Sequence, residues 1–443
     1  MKTTVSYKTI WSIAYPIIMG SLAQTLIMIT DTAFLGRVSE VALGAAAMAG
    51  IYYYVFSTFA WGFSIGIQII IARRFGEKRD SHIGKIFEHG MWFVLPLALL
   101  LFLIQHYGSA YLLNASIQSS NIYEAAMVFI SYRHYGIIFV CFNFLFRALY
   151  IGISSTKVIG YTTILMATVN VLLNYSLIFG KFGLPAMGVG GSALASVIAE
   201  GCGLLFFISY TLLKLPLRRY ALFQWHRLEG WLMKIILRTA FPTMLQKLLS
   251  FGVWYIFFIM VEHMGERPLA ISMVVRSVYM LILLPVFGFG ATTNTLTSRL
   301  IGEGRKAEVH SLVWKVSRFS LFCIIPVLSL CYFFPNLVLS VYSNNPGLVA
   351  ESIHALYVIG LAAVTFCFGI IWFEAVSGTG NTIHALYAET LVLIPYLLQI
   401  WLLSSVFETA IEWVWTGEIS YGVLIGSASL LYMKYYRWQK NKL

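Results

Sequence analysis

Long apolar runs follow one another along nearly the whole chain, and no other feature constrains its fold so strongly. They fall roughly at 9–35, 42–72, 89–114, 123–152, 158–179, 188–213, 236–262, 268–299, 312–334, 348–377, 384–405 and 414–434. A helix needs about 20 such residues to cross a bilayer, so these are about twelve candidate spans. Within lipid every backbone polar group must be satisfied internally, which leaves helices or a closed barrel. The runs are too long and too uniformly apolar for barrel strands. Of 443 residues, 59% are hydrophobic and only 11% charged, and the mean hydropathy is +0.80. A soluble domain of this length needs more charge on its surface. The expected fold is an all-α polytopic membrane protein. The first run follows Lys2 and Lys8 as a signal peptide would, but it continues to Leu35 and reads as a retained span.

The net charge of +12 is concentrated in alternate loops. Lys2 and Lys8 precede the first run, "RRFGEKRDSHIGK" joins the second and third, and Lys157 follows the fourth. "KLPLRRYALFQWHRLEGWLMK" joins the sixth and seventh, Arg299, Arg305, Lys306, Lys315 and Arg318 lie between or flank the eighth and ninth, and Lys434, Arg437, Lys440 and Lys442 close the chain. The other loops hold little beyond Arg37, Lys181 and Arg267. The positive-inside rule then puts both termini in the cytoplasm. The charge thus sets topology and gives no sign of a nucleic-acid partner. The basic linker could also meet anionic headgroups. The five cysteines lack CxxC spacing and read as buried free thiols.

The chain repeats itself. At an offset of 226, Pro16 falls on Pro242, Leu43 on Leu269 and Gly62 on Gly288. Arg73, Gly76, Glu77 and Arg79 fall on Arg299, Gly302, Glu303 and Arg305, and Gly152 and Thr156 on Gly378 and Thr382. The offset covers an even number of spans, so both halves have one membrane orientation. They are expected to be two six-helix lobes related by a pseudo-twofold along the membrane normal, a transporter architecture. The expected lobes are 1–213 and 235–443, joined by a cytoplasmic linker at 214–234. Pro16 and Pro242 each remove a hydrogen bond inside a span and are candidate hinges or fixed kinks.

Five stretches carry a family resemblance: "AYPIIMGSLAQTLIMITDTAFLGR", "GIQIIIARRFGEKR", "FRALYIGISSTK", "NVLLNYSLIFGKFGLPAMGVGGSALAS" and "AFPTMLQ". With these the chain resembles the multidrug and toxic compound extrusion (MATE) family. The resemblance implies two six-helix bundles, alternating access, and export of organic cations or other amphiphiles against inward H⁺ or Na⁺. It implies that Asp31 is the acidic residue of the first span and that Asn170 lines the same cavity. Many relatives carry an acid where this chain has Asn174. The span-seven glutamate of some branches is Ser250 here, and a span-ten acid aligns with Cys367. These departures favour coupling through the N-terminal lobe.

Independent of the resemblance, no phosphate-binding loop, nucleophile elbow or histidine metal motif occurs, so no catalytic residues, metal site or cofactor are assigned. The chain reads as a transporter and not an enzyme. A charge at mid-bilayer costs about 2.5–3.5 kcal/mol, so ionisable residues inside the runs mark functional candidates. Position 31 falls on Phe257 in the repeat, and that run continues to Glu262, which puts Asp31 inside the membrane boundary. Gly20, Gln24, Met28 and Asp31 share a helical face, expected to look into the lobe. Asn170 and Asn174 share another. Together Asp31, Asn170 and Asn174 form the candidate ion-coupling set for H⁺, with Na⁺ as the other ion their oxygens suit. Substrate-cavity candidates are Gln24, Met28, Glu200, Lys247, Ser250 and Glu389. Glu200 and Glu389 are either titrating sites or helix-packing residues. Lys247 needs an acidic partner such as Glu200 or Glu389, or stands as an internal cation. Arg147 and Glu374 are candidate inner-gate residues, or interfacial charges reaching water. The aromatic fraction of 16% suits interfacial belts and packing as well as cation binding.

The expected function is cation-coupled export of small amphiphiles by a monomer in the plasma membrane, the inner membrane of a bacterium. The alternatives are a flippase of lipid-linked precursors, which calls for a strongly cationic cavity, and an intramembrane enzyme or channel.

Overall fold

The computed structural model describes residues 5–342, 345–436 and 438–440. Lys2, Arg437 and Lys442 of the charge pattern lie outside them, as does the Lys440 side chain. The described residues are almost entirely helical. The elements are α1 (Tyr7–Gly36), α2 (Glu40–Gly76), α3 (Ser81–Ser116), α4 (Ser120–Arg133), α5 (Gly136–Gly152), α6 (Lys157–Phe179), α7 (Gly188–Lys214) and α8 (Leu217–Tyr220). They continue with α9 (Gly230–His263), α10 (Glu266–Gly302), α11 (Val309–Phe333), α12 (Pro335–Ser340), α13 (Pro346–Gly378), α14 (Thr382–Trp401) and α15 (Ile411–Tyr435). Among the described residues, 10 helices are long and apolar enough to cross a membrane, and the pair α4–α5 makes up to 11. α15 stands where the twelfth span is expected. Short polar residues open several helices: the Ser39 hydroxyl accepts from the Ala42 N–H at 3.0 Å, and the Asn345 side chain accepts from Gly347 at 3.0 Å.

The run 123–152 is not one straight helix. α4 and α5 meet at a 54° bend around His134 and Tyr135. The His134 Nδ1 engages the Ile130 carbonyl at 2.5 Å, and Gly136 follows. A Cβ at Gly136 would lie 2.5 Å from Glu200 Oε2 and 2.6 Å from an Arg133 guanidinium nitrogen. The bend is therefore built around a buried ion pair.

Two compact units divide the chain: Met19–Met244, here the N-terminal unit, and Met1–Ile18 with Leu245–Leu443, the C-terminal unit. The boundaries differ from a split at 213 and 235. They run through α1 and α9, just past Pro16 and Pro242, and both helices continue unbroken through these prolines. Packing explains the difference. In the N-terminal unit, α2 receives the first half of α9: Cβ atoms at Gly62 and Gly66 would lie 2.5 Å from Met244 Cα and 2.4 Å from Ala240 Cα. The Thr243 hydroxyl donates to the Gly62 carbonyl at 2.7 Å. In the C-terminal unit, Gly288 gives the same room to the first half of α1, where a Cβ would lie 2.4 Å from an Ile18 side-chain carbon. The linker segment 214–230 belongs to the N-terminal unit.

The repeat is visible in structure. Gly152 packs on α2, 3.2 Å by its would-be Cβ from the Gln68 carbonyl, and Gly378 packs on α10, 2.4 Å from the Asn294 carbonyl. Glu77 lies 3.6 Å from Arg79, as Glu303 lies 2.8 Å from the matching Arg305, while the closer partner of Glu77 is Arg74 at 2.7 Å, where the repeat has Leu300. After each of these helices one residue turns left-handed: Lys78 with φ 57° and Gly304 with φ 73°. Lysine meets a steric cost there that glycine does not. Lys78→Gly is expected to raise stability by about 0.5–1 kcal/mol, read from thermal unfolding in detergent.

The linker is pinned by one carboxylate. Glu88 of α3 is fully buried. It accepts from the backbone N–H groups of Gln224 at 2.8 Å, Trp225 at 3.2 Å and His226 at 2.8 Å. Its other close partner is the His226 ring, at 2.7 Å. Phe223 and Trp225 both have left-handed φ, 58° and 52°, which aims successive N–H groups into one anion-binding concavity. Glu88→Ala would orphan these donors and is expected to cost about 3 kcal/mol. Thermal unfolding and protease cleavage within 221–229 would report it.

Candidate functional site

Asp31 lies inside α1, more than a turn before its end at Gly36. The helix presents a buried stripe of Ala23 (8% exposed), Ile27 (7%) and Leu35 (1%). Gly20 faces α6 on the same side, with its would-be Cβ 3.2 Å from the Thr163 hydroxyl. Gln24 and Met28 depart from expectation. Gln24 is exposed, and Met28 is 61% exposed. The reason is the helical angle: residues 23, 27 and 31 hold the α6 side, and 24 and 28 rotate past its edge.

Asp31 is half-buried, while Asn170 and Asn174 of α6 are buried. The Asn174 amide Nδ2 donates to Asp31 Oδ1 and, at 2.9 Å, to Asn170 Oδ1. The Asn170 Nδ2 donates to the Ser196 hydroxyl of α7 at 3.1 Å. Asp31, Asn174, Asn170 and Ser196 thus form one polar chain through three helices. The Asn174 Oδ1 is buried with no hydrogen-bond partner. A half-turn of that amide exchanges donor for acceptor, so Asn174 can serve either a carboxylate or a carboxylic acid at Asp31.

Glu200 of α7 is bound by Arg133 of α4. The guanidinium donates to both carboxylate oxygens, each at 2.6 Å, the strong bidentate geometry. The guanidinium carbon also lies 3.9 Å from the centroid of the Tyr53 ring. The Asn143 side chain donates to the Glu200 backbone carbonyl at 3.0 Å. Arg133 interacts electrostatically with Asp31 as well. One guanidinium therefore serves two carboxylates unequally: Glu200 by two charged hydrogen bonds, Asp31 only through space.

In the C-terminal unit Phe257, the repeat counterpart of Asp31, is fully buried, its ring centroid 5.0 Å from that of Trp415. The Cys367 thiol donates to Ser320 at 3.2 Å. Acids arrive from other helices instead. Glu374 of α13 lies 4.0 Å from Lys247 of α9 and accepts from the Asn294 amide of α10 at 3.0 Å. Lys247 is thus paired with Glu374, a partner not among those weighed from sequence, while Glu200 is held by Arg133. Ser250 donates to Glu389 of α14, which also accepts from Tyr421 at 3.4 Å. Glu418 of α15 accepts from Tyr396 at 2.6 Å and Tyr279 at 3.3 Å. Arg147 of α5 is partly buried, and no hydrogen bond or ion pair of its side chain is seen among the described residues.

Arg133 and Glu418 escape the sequence reading. Each stands in an apolar run, so asking the insertion cost of every ionisable residue in the runs finds both. Their partners are invisible in sequence, because Arg133 and Glu200 come from different helices.

Two sequence repeats folded as helical units, with ionisable groups buried in membrane-spanning helices, define the chain as a polytopic membrane protein of the transporter class. The MatE family model matches residues 16–176 and 242–401, starting each time at the repeated proline, and the chain belongs to this multidrug and toxic compound extrusion family. It is similar to a probable multidrug resistance protein NorM of Thermotoga maritima, 23% identical over 444 residues, covering 98% of this chain and 93% of that protein. The corresponding protein of Pseudomonas aeruginosa is 24% identical over 379 residues, covering 85% and 76%. Among solved structures, a MATE protein in the straight conformation matches with a TM-score of 0.88 over 96% of this chain and 95% of that one, at 18% identity. A eukaryotic MATE transporter matches at 0.84 and 16% identity over 98% and 96%. These last likenesses concern the fold.

Proposed function

We propose that this protein exports amphiphilic compounds, organic cations and drugs among them, by alternating access, driven by inward H⁺ through Asp31. The carrying observation is the unequal partnering of two carboxylates in one unit. Glu200 is clamped by Arg133 at 2.6 Å on both oxygens and stays ionised. Asp31 has a neutral amide as its hydrogen-bond donor, so it is the group that takes the proton. With Asp31 ionised, the cluster of Asp31, Glu200 and Arg133 carries one net negative charge and attracts a cationic substrate. With Asp31 protonated, the cluster is neutral and that attraction is lost.

Pro16 and Pro242 serve as hinges in this reading, each beside the point where its helix passes between compact units. Gln24 and Met28, exposed on α1 beside Asp31, are available to substrate. The Lys247–Glu374 pair and Glu389 with Ser250 hold the C-terminal unit, with Lys247 as a resident cation. Arg147 and Glu374 act near the inner ends of their helices as gate residues. In this reading the protein works as a monomer in the inner membrane, since the NorM relatives are bacterial, with both termini cytoplasmic, since the basic loops alternate. Na⁺ is the second reading, since the side-chain oxygens of Asp31, Asn170 and Asn174 are ligands it could use. A lipid-precursor flippase is disfavoured, because Lys247 is neutralised by Glu374.

Substrate flux in proteoliposomes tests the reading. An imposed inward H⁺ gradient should drive efflux of a fluorescent organic cation, and an Na⁺ gradient without ΔpH should not. Efflux following Na⁺ alone would reverse the ion assignment.

A further inference from the structure

Away from the Asp31 cluster, the C-terminal unit holds a cleft of about 360 Å³ lined by Tyr7, Ser311, Trp314, Lys315 and Arg318. Its chemistry is cationic and aromatic. The Lys315 ammonium donates to the Val5 carbonyl at 2.9 Å and lies 5.6 Å from the Tyr7 ring centroid. The Arg318 guanidinium lies 6.0 Å from the Trp314 ring. Neither cation has a carboxylate partner among the described residues. The nearby acids Glu303 and Glu308 are taken by Arg299 and Arg305.

The surface changes character along the helices. On α11, Ser311, Lys315 and Arg318 continue into Phe322 and Ile325 at helical spacing, on one face. Phe322 is 70% and Ile325 47% exposed. On α1, Trp11 and Tyr15 are 41% and 47% exposed, and Trp11 is fixed by Phe319, ring centroids 5.7 Å apart. The face is therefore charged at one end and apolar beyond it, inside two membrane-spanning helices. Basic side chains near a helix end can simply reach toward headgroups, but here two cations without carboxylate partners line one aromatic-walled cleft.

We infer that this cleft binds one anionic phospholipid. Lys315 and Arg318 hold its phosphate, with the Ser311 hydroxyl as a further donor. Trp314 and Tyr7 sit at headgroup level, where such rings are favoured. An acyl chain lies along Trp11 and Tyr15 on one side and Phe322 and Ile325 on the other. Because the first half of α1 belongs to this unit, the lipid braces the helix whose second half carries Asp31.

Native mass spectrometry of the purified full chain, titrated with phosphatidylglycerol or phosphatidylcholine, tests this. The expected result is one retained phosphatidylglycerol, in preference to phosphatidylcholine. Loss of two cations in Lys315→Gln/Arg318→Gln should weaken it about thirty-fold, at about one kcal/mol per basic residue. Phosphatidylcholine binding should not change. Inorganic phosphate at matching concentration should neither displace the lipid nor stabilise the protein. Equal retention of both lipids by the natural protein, undiminished binding by the double variant, or competition by inorganic phosphate would each overturn the site. Should the double variant misfold, the comparison of lipids on the natural protein decides, with Arg318→Lys expected to keep the preference.

Discussion

Asp31→Asn should reduce gradient-driven export to the level of empty vesicles while leaving the protein folded. The two effects separate because the substitution removes a titratable group and keeps a polar one. The introduced amide retains an oxygen to accept from the Asn174 amide, which in the structure donates to Asp31 Oδ1. One neutral hydrogen bond then replaces a charge-assisted one, so stability should change by no more than about 1 kcal/mol. The cluster loses its ability to alternate between net negative and neutral charge, because Arg133 and Glu200 remain paired in both states. Proteoliposome efflux under an imposed H⁺ gradient reads the first effect and thermal unfolding the second. Retained coupled efflux in the variant would remove Asp31 from the mechanism. Loss of folding would make it a structural acid instead.

Glu200→Ala should have the largest effect on stability, about 3–5 kcal/mol. Arg133 is held at 2.6 Å by both carboxylate oxygens, and removing them leaves a guanidinium uncompensated among α2, α4 and α7. The Tyr53 ring, 3.9 Å from that guanidinium, recovers only part of the loss. The double variant Arg133→Met/Glu200→Ala should be more stable than the single one, because no buried charge remains. Thermal unfolding of the four proteins forms a closed cycle, and a coupling near zero would show that the pair contributes nothing. Export should also fall in Glu200→Ala, for a separate reason. With Glu200 gone, the set of Asp31 and Arg133 alternates between neutral and net positive and no longer attracts a cation.

How much of this is legible in sequence varies from residue to residue. Asp31 stands out because a carboxylate in an apolar run is costly, and its counterpart Phe257 puts it inside the membrane boundary. Asn170 and Asn174 follow from helical spacing on one span. Met28 is misplaced by the same spacing, since four residues sharing a face leave the centre of the buried stripe undetermined by tens of degrees. The partner of Lys247 is not readable either. Glu374 lies on a helix far along the chain, and nothing local distinguishes it from Glu200 or Glu389. The bend after Arg133 depends on Gly136 meeting an ion pair formed with a residue of α7.

By itself the sequence determined the helical class, the repeat and the residues whose burial demands an explanation. Those depend on local quantities: transfer cost along a run, helical period, and a constant offset between matching residues. The tertiary structure decided which ionisable groups pair and where the compact units divide. Gly62 and Gly288 make the point. They mark the repeat in sequence, yet only their close contacts with Met244 and Ile18 assign half of α9 to one unit and half of α1 to the other. Such contacts depend on backbones meeting at van der Waals distance across long sequence separations, and no local signal carries that.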